Sequence, residues 1–189
     1  MTPPRILAFG GSLRASSFNQ KLAAIAARGA RGAGVQVTLI RLRDFPLPLY
    51  DQDVEDTGGI PENAAKLKAL FAQHDGLIIA SPEYNSGITA ALKNAIDWVS
   101  RATAPDEAPL SVLRGKTAAI LSASPGGYGG SRSLTQLRTL LENISITVLP
   151  DQVSVPKVHE VMDADGELTD AMLQSSVLSL GAALAKALG

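Results

Sequence analysis

The chain has 189 residues, of which 46% are hydrophobic and 19% are charged, and its formal net charge at pH 7 is −1. These values predict one globular domain over residues 1–189, with a full hydrophobic core and no basic surface for nucleic acid. The absence of cysteine excludes disulfides, thiolate metal sites and a cofactor linked through cysteine. No segment resembles a signal peptide and no apolar run approaches a bilayer span, so we expect a cytoplasmic protein without membrane contact.

Strand and helix patterns alternate along the chain. Continuous apolar or β-branched runs, which are typical of strands buried on both faces, occur at Ile6–Phe9, Val35–Leu42, Gly76–Ala80, Thr117–Ser122 and Ile144–Leu149. Helical patterns lie at about Asn19–Gly32, Pro61–Gln73, Thr89–Arg101, Ser131–Asn143 and Thr169–Leu188. This alternation predicts an α/β fold, namely a doubly wound five-stranded parallel sheet with helices on both faces. Because ligands bind beyond the carboxyl ends of such strands, the loops after strands one, three and four should converge on one site.

The loop after the first strand is the most informative segment. Gly10-Gly11 ends the strand, and a loop rich in hydroxyl and amide groups leads into an alanine-rich helix. The helix start leaves N–H groups without partners, and Arg14 adds a charged fork, so the loop is suited to a phosphate. Further side-chain donors in this loop are Ser12, Ser16, Ser17 and Asn19. The alternative is an ordinary strand-to-helix turn in which the serines only cap the helix.

The type of phosphate loop is narrowed by the patterns that it lacks. The loop has no third glycine, so it does not fit the dinucleotide pattern G-x-G-x-x-G, and the ATPase pattern G-x-x-x-x-G-K-[ST] occurs nowhere in the chain. Flavodoxins hold the terminal phosphate of FMN with polar residues of this kind. The first loop therefore favours a phosphate monoester such as FMN.

The loop after the third strand, Ser81–Gly87, combines backbone restraint with an aromatic side chain. Pro82 fixes one φ angle, Gly87 frees another, and Tyr84 offers a flat amphipathic ring at the edge of the sheet. Backbone N–H groups here could bond the pyrimidine edge of a flavin. The alternative is a turn whose tyrosine packs on its own helix.

The loop after the fourth strand, residues 123–132, has glycine at four of the five positions from 126 to 130. Such a loop either lets the backbone approach a planar ligand closely or is a flexible connector. Three unusual loops at one sheet edge favour a shared ligand site over three unrelated turns.

These segments resemble the NADPH-dependent FMN reductase family, a flavodoxin-like group that includes quinone, chromate and azo-compound reductases. The resemblance spans roughly residues 5–155 and its motifs follow the family's order. The matching segments are Gly11-Ser12-Leu13-Arg14 with Ser17-Phe18-Asn19, Leu47–Asp53, Pro82-Glu83-Tyr84-Asn85 with Leu92–Trp98, and Ser124-Pro125-Gly126-Gly127 with Gly129-Gly130.

The resemblance implies noncovalent FMN, with NADPH or NADH as electron donor. It places the FMN phosphate at Ser12, Arg14, Ser17, Phe18 and Asn19. It places the isoalloxazine beside Pro82, Glu83, Tyr84 and Asn85, with Ser124 and Gly127 on its other side. No catalytic acid or base is assigned, because FMN accepts hydride at N5 and the protein supplies orientation and electrostatics.

The resemblance also implies a small-molecule electron acceptor, such as a quinone, free flavin, an azo compound or a metal oxyanion such as chromate. It further implies a homodimer or homotetramer formed through the helix at 131–143 and the end of its neighbour. Leu140, which lies off the apolar stripe of that helix, agrees with such an interface, although it also fits core packing.

The sequence departs from the family pattern at Thr89-Ala90, where members commonly have Pro-Gly. Threonine is a fair N-cap, so the helix should still begin there, while the shape of the pocket lip stays open. His74 and His159 have no partners at metal-ligand spacing, and we expect both at the surface. We expect Asp97 and Trp98 to serve packing and capping.

Two other classes of protein are considered. A flavodoxin-type electron carrier is usually strongly acidic so that it docks on basic partners, and a net charge of −1 disfavours this class. A serine hydrolase would need a G-x-S-x-G elbow, which is absent from the chain.

Overall fold

Parallel strands form one sheet in the computed structural model of the chain, which describes residues 3–189; Met1 and Thr2 lie outside the described residues. The strands are β1 (Arg5–Gly10), β2 (Gln36–Leu39), β3 (Gly76–Ala80), β4 (Thr117–Ala123), β5 (Thr147–Val148) and β6 (Val153–Val155). Their order is β2-β1-β3-β4-β5, with β6 also paired to β4. This is the flavodoxin-like order, and its topological switch point lies between β1 and β3. The predicted doubly wound sheet is confirmed.

The fifth position of the sheet is shared by two short strands. β5 pairs with the beginning of β4, at Thr117 and Ala118, whereas β6 pairs with its end, at Leu121–Ala123. Between them lies Pro150, which has no N–H to donate to a ladder. The predicted strand Ile144–Leu149 therefore shortens to two residues, and β6 was not predicted.

Seven α-helices lie in the described part of the chain. They are α1 (Phe18–Gly32), α2 (Gln52–Gly58), α3 (Glu62–Ala72), α4 (Ala90–Val99), α5 (Ser131–Asn143), α6 (Val158–Val161) and α7 (Ala171–Leu188), and a short 3-10 helix covers Leu42–Asp44. The five predicted helices are present. The short helices α2 and α6 were not predicted, because neither is long enough to show an apolar period.

The sheet separates two hydrophobic clusters. Alternate strand residues such as Ile6 and Ile78 pack with α1 and α7 on one face. Their neighbours Leu7 and Leu77 pack with α3, α4 and α5 on the other face. The carboxyl edge of the sheet consequently lies between the beginnings of α1 and α4, which approach it from opposite faces.

α7 is long and apolar enough to pass a length-and-composition test for a membrane span, contrary to the expectation that no run would do so. In the structure this helix packs closely on α1. A Cβ at Gly29 would lie 1.9 Å from the carbonyl oxygen of Leu178, and a Cβ at Gly181 would lie 1.9 Å from that of Ala26. Glycine at both positions therefore lets the two helices meet backbone to backbone, and the apolar stripe of α7 belongs to the core.

The expectation that His74 lies at the surface is wrong. Its ring is buried at the amino edge of the sheet, where it hydrogen-bonds the carbonyl oxygen of Leu70 at 2.6 Å and Thr38 Oγ1 at 2.7 Å. A buried imidazole needs partners for both nitrogens, and the two neighbours supply them. His159 is half exposed, as expected.

Candidate functional site

A small cavity of about 80 Å³ opens at the carboxyl edge of the sheet, where the loops after β1, β3 and β4 meet. It is lined by Ser12, Arg14, Ser17, Phe18, Asn19, Pro82, Glu83, Tyr84, Ala123, Ser124 and Pro125. Nine of the eleven predicted site residues are among them, and Asn85 and Gly127 are not. The structure thus brings the predicted residues together at the switch point of the sheet, where ligands of such folds bind.

The loop between β1 and α1 presents backbone donors to this cavity. Ser17 caps α1, because its hydroxyl accepts a hydrogen bond from the N–H of Gln20 at 3.3 Å. Within residues 3–189, the backbone N–H groups of Phe18 and Asn19 donate to no protein group, and those of residues 12, 13 and 15–17 also have no protein acceptor. A helix start with several such donors attracts an anion.

Side chains add positive charge and hydroxyl groups to these donors. Arg14 is exposed and forms no ion pair within residues 3–189, so its guanidinium is available to a phosphate. Ser12 is buried, and its hydroxyl oxygen accepts from the N–H of Arg14 at 3.2 Å. Phe18 packs its ring against the core, so it offers the cavity mainly its backbone.

The side-chain amide of Asn19, a predicted phosphate-site residue, has both of its hydrogen-bond partners within the fold. Its amide nitrogen donates to the carbonyl oxygen of Ala123 at 2.8 Å, and its amide oxygen accepts from the N–H of Ala123 at 2.9 Å. This buried pair of hydrogen bonds ties the first turn of α1 to the end of β4. Only the backbone N–H of Asn19 is left for a ligand.

Gln20 positions the same loop and was not identified from the sequence. Its side chain accepts from the N–H of Gly10 at 2.9 Å and donates to the carbonyl oxygen of Ile40 at 2.9 Å, so it joins the ends of β1 and β2. A Cβ at Gly10 would lie 2.7 Å from the backbone nitrogen of Gln20. In the sequence, the glycine at the end of β1 was the one indication that the backbone of α1 packs closely against this position.

The loop after β3 forms a tight two-residue turn. Tyr84 and Gly87 exchange two backbone hydrogen bonds of 3.0 Å, and the residues between them, Asn85 and Ser86, have φ angles of 52° and 66°. Positive φ at both central positions defines a type I′ turn, in which asparagine is favoured. Asn85 therefore serves the turn and lies outside the cavity. The positive φ angles of this loop are at Asn85 and Ser86, and not at Gly87, where the sequence predicted conformational freedom.

Glu83 points its carboxylate at the beginning of α5. It accepts hydrogen bonds from the N–H groups of Arg132 at 3.1 Å and Ser133 at 3.3 Å, and its side chain is only 8% exposed. α5 has no side-chain cap of its own, because Gly130 stands at its N-cap position. Glu83 therefore caps α5, and only its backbone is free to border a flavin.

The glycines after β4 divide into two pairs. Gly129 and Gly130 have positive φ, and a Cβ at Gly130 would lie 1.8 Å from Ser122 Oγ, so the fold itself requires them. Gly127 is different, since a Cβ there would meet nothing within 4 Å. It lies two residues beyond Pro125, on open surface beside the cavity.

The segment that resembles the family's loop after β2 is anchored on α4. Asn94 accepts from the N–H of Tyr50 at 2.7 Å and donates to the carbonyl oxygen of Pro48 at 2.8 Å. Trp98, which is fully buried, donates to the same carbonyl oxygen at 2.9 Å. These contacts give Trp98 the packing role that was expected, and the segment contributes no residue to the cavity.

A charged cluster completes this anchor. Tyr50 donates to Glu55 at 2.9 Å, and Arg101 donates to both oxygens of the same carboxylate at 3.0 and 2.9 Å. Desolvation raises the pKa of Glu55, but the hydrogen bonds from Arg101 and Tyr50 outweigh it and the pKa falls below its ordinary value. The hydrogen bond to Glu55 raises the pKa of Tyr50. The cluster holds α2 against the end of α4.

The other chemistries considered find no support in the geometry. Among the described residues no three His, Asp or Glu side chains form a group that could hold a metal ion. Within residues 3–189 neither histidine hydrogen-bonds a serine of the three loops, since the His74 ring is at the opposite edge and the His159 ring faces Glu160 at 3.7 Å. A Ser-His pair for nucleophilic catalysis is thus absent from the described part of the chain.

The donor set fits the parts of FMN. Unpaired N–H groups and Arg14 beside the cavity suit a phosphate dianion. A planar ring system would need a shallow apolar surface beside it. Tyr84, which is 54% exposed, and the open position of Gly127 supply such a surface.

Known proteins resemble this chain along most of its length. Residues 4–160 match the model of the NADPH-dependent FMN reductase family. An NAD(P)H-dependent FMN reductase of Pseudomonas aeruginosa is 36% identical over 167 residues, which cover 88% of this chain and 85% of the relative. An NADPH:quinone oxidoreductase of Arabidopsis thaliana is 35% identical over 187 residues, covering 94% and 90% of the two chains.

A solved structure has the same architecture along its whole length. It is a flavoenzyme NAD(P)H:(acceptor) oxidoreductase from Paracoccus denitrificans, which aligns with a TM-score of 0.75 and 27% identity over 98% of this chain and 99% of its own. Because the family match extends over most of the sequence and two relatives exceed 30% identity across both chains, the chain belongs to the NADPH-dependent FMN reductase family.

Proposed function

We propose that the protein oxidises NAD(P)H through FMN held at the cavity between the loops after β1, β3 and β4, and passes the electrons to a quinone. The observation that carries this proposal is the convergence of unpaired backbone donors and Arg14 on one cavity at the switch point of the sheet. The names of the relatives, an FMN reductase and a quinone oxidoreductase, support the same class of reaction.

The chain's own residues bind and orient the cofactor. Bound FMN supplies hydride acceptance from the nicotinamide and release of the electrons to the acceptor. The N–H groups of residues 15–19 and Arg14 would hold its phosphate, and Ser12 and Ser17 would offer hydroxyl groups at the same point. The backbone around Pro82 and Tyr84 would border one side of the ring, and Ser124, with the open position of Gly127 beside it, would border the other.

The open surface at Gly127 determines how substrates reach the ring. Hydride transfer needs the reacting atoms about 3–3.5 Å apart, so the nicotinamide must stack directly on the exposed face. Nothing lies within 4 Å of a Cβ at Gly127, and Tyr84 is exposed, so one planar molecule can leave and a second can take its place. The same surface would therefore serve the nicotinamide and the acceptor in turn.

Steady-state kinetics tests this proposal. Initial rates are measured over a grid of NADPH and benzoquinone concentrations with FMN-loaded protein. We expect parallel double-reciprocal lines, because one substrate leaves before the other binds. Intersecting lines would show that both substrates bind together and would contradict the shared surface. A flavodoxin-type carrier would instead give negligible turnover with NADPH and quinone alone.

We further propose that the protein is a cytoplasmic homodimer or homotetramer formed through α4 and α5. A groove of about 510 Å³ separates these helices, and Ile96, Leu140 and Ile144 line it. Leu140 is only partly covered by its own chain. Leu140→Asp should give a monomer by light scattering at micromolar concentration. Leu39→Asp on β2, which changes an exposed leucine outside this groove, should leave the mass unchanged. A monomeric wild type would refute the proposal.

A further inference from the structure

At the beginning of α4, the side chain of Thr89 hydrogen-bonds the phosphate loop. Thr89 is the N-cap of α4 and is 2% exposed. Its hydroxyl oxygen accepts from the N–H of Leu92 at 3.1 Å, which is an ordinary capping hydrogen bond. The same hydroxyl donates its proton to the carbonyl oxygen of Gly11. A proline at this position could make neither hydrogen bond.

Gly11 is held by three independent contacts. Its N–H donates to the carbonyl oxygen of Ala80 at 2.8 Å, which fixes one side of the residue to β3. A Cβ on Gly11 would lie 3.0 Å from a methyl carbon of Leu92, so its α-carbon packs tightly on α4. Thr89 then fixes the direction of the carbonyl group. The first peptide of the phosphate loop is therefore anchored to the helix on the other face of the sheet.

The planarity of the peptide carries this restraint into the cavity. The described chain has no cis peptide bond, so the carbonyl of Gly11 and the N–H of Ser12 point in opposite directions. With the carbonyl turned to Thr89 on the α4 side, the N–H of Ser12 turns to the α1 side, where the loop surrounds the cavity. This N–H has no acceptor within residues 3–189, and Ser12 lines the cavity.

We propose that Thr89 is a positioning residue for the FMN phosphate, acting through the carbonyl of Gly11 on the N–H of Ser12. This inference rests on the proposed site, because it requires the phosphate to lie in the cavity at residues 12–19. Without the hydroxyl, the peptide between Gly11 and Ser12 can rotate. The N–H of Ser12 then no longer points in a fixed direction toward the phosphate. The flavin ring would lie between the loops after β3 and β4, so riboflavin binding should not depend on this peptide.

The test compares two ligands that differ by the phosphate. Apo-protein is titrated with FMN and with riboflavin, and the ratio of the two Kd values is measured for wild type, Thr89→Val and Thr89→Ser. We expect Thr89→Val to weaken FMN about fivefold and riboflavin by less than about twofold, since one hydrogen bond to a fixed group is lost. Thr89→Ser restores both hydrogen bonds and should restore the ratio.

Two further variants keep the test decisive. Thr57→Val removes a hydroxyl that donates to the carbonyl oxygen of Asp53 on α2, and it should leave the ratio unchanged. If Thr89→Val does not fold, Thr89→Pro removes the same hydroxyl at a residue whose φ of −71° suits proline. An unchanged ratio in the Thr89 variants overturns the inference, as does an equal loss for both ligands. A wild type that does not discriminate FMN from riboflavin refutes the proposed phosphate site itself.

Discussion

Glu83 and Arg132 join two loops of the site by an ion pair, in which Arg132 Nε donates to the Glu83 carboxylate at 2.8 Å. Glu83 follows β3 and Arg132 lies in the first turn of α5, so the pair ties the loop after β3 to the beginning of this helix. Arg132 also lies over the ring of Tyr128, 4.8 Å from its centroid. The same carboxylate caps α5 through two backbone N–H groups, as an N-cap side chain would.

Glu83→Ala removes this cap and the ion pair together. We expect a loss of about 1–2 kcal/mol in the free energy of unfolding, which is the usual cost of an N-cap. Urea unfolding of the apo-protein measures it. Glu142→Ala, at the other end of α5 and half exposed, should cost less than about 0.5 kcal/mol. Equal effects of the two changes would show that Glu83 is only a surface charge.

Arg14→Ala tests the phosphate contact from the side chain. Removing a charge-assisted hydrogen bond should weaken FMN by about 1.5–3 kcal/mol and leave riboflavin binding unchanged. Calorimetric titration of apo-protein measures both affinities. Arg31→Ala, at the opposite end of α1, is the matched control and should change neither. FMN binding that does not depend on Arg14 would contradict the assigned role.

Gly127→Leu tests whether the open surface serves the nicotinamide. A leucine there finds free space, so the fold and FMN affinity should be little changed. The side chain would nevertheless keep the nicotinamide from the distance that hydride transfer needs, and the reduction rate should fall at least tenfold. Stopped-flow absorbance gives the rate. Gly32→Leu also adds a leucine where a Cβ meets nothing within 4 Å, and it should reduce at the wild-type rate.

Much of the fold and of the site was predictable because the signals are local. Buried strands appear in the sequence as apolar runs, and small residues after a hydroxyl-rich cap indicate the helix that follows β1. The sheet order then brings the loops together, which is why nine predicted residues line one cavity. Asn85 and Gly127 do not line it, because Asn85 takes a positive φ angle in a tight turn and Gly127 lies on open surface beside the cavity.

The side-chain contacts that the sequence did not reveal are long-range. Asn19 is a plausible phosphate donor from its position, but its partner, Ala123, is 104 residues away. Glu83 caps a helix that begins 48 residues later, and no local pattern announces this. The buried ring of His74 hydrogen-bonds Thr38, which lies on β2 and is distant in the sequence. A single sequence carries no information about such partners.

Glu107 gives the protein a pH-dependent stability that is independent of the flavin site. It accepts hydrogen bonds from Ser111 and Thr103, and it pairs with the buried Lys68 at 2.5 Å. The Lys68 hydrogen bond, with those from Ser111 and Thr103, holds the pKa of Glu107 well below its ordinary value of 4.5. Because the pKa is lowered in the folded state, this contribution is complete above pH 4.5 and is lost as the pH falls further.

Glu107→Gln should therefore lower the free energy of unfolding at pH 7 by about 1.5–3 kcal/mol. The gap between variant and wild type should narrow as the pH falls from 4.5 to 3, which urea titrations at several pH values measure. Glu62→Gln, which removes an exposed ion pair with Lys66, is the control and should change the stability little at either pH. A gap that is constant with pH would contradict the role of the ionised carboxylate.

Anaerobic reduction of the FMN-loaded wild-type protein tests the central claim most directly. The protein is mixed with NADPH, and separately with NADH, in the absence of oxygen and of any acceptor, and the absorbance of oxidised flavin is followed. We predict complete bleaching by at least one nicotinamide, followed by return of the absorbance when benzoquinone is added. A flavin that stays oxidised with both nicotinamides would contradict the proposed reaction, and an electron carrier reduced by a partner protein would then be the better account.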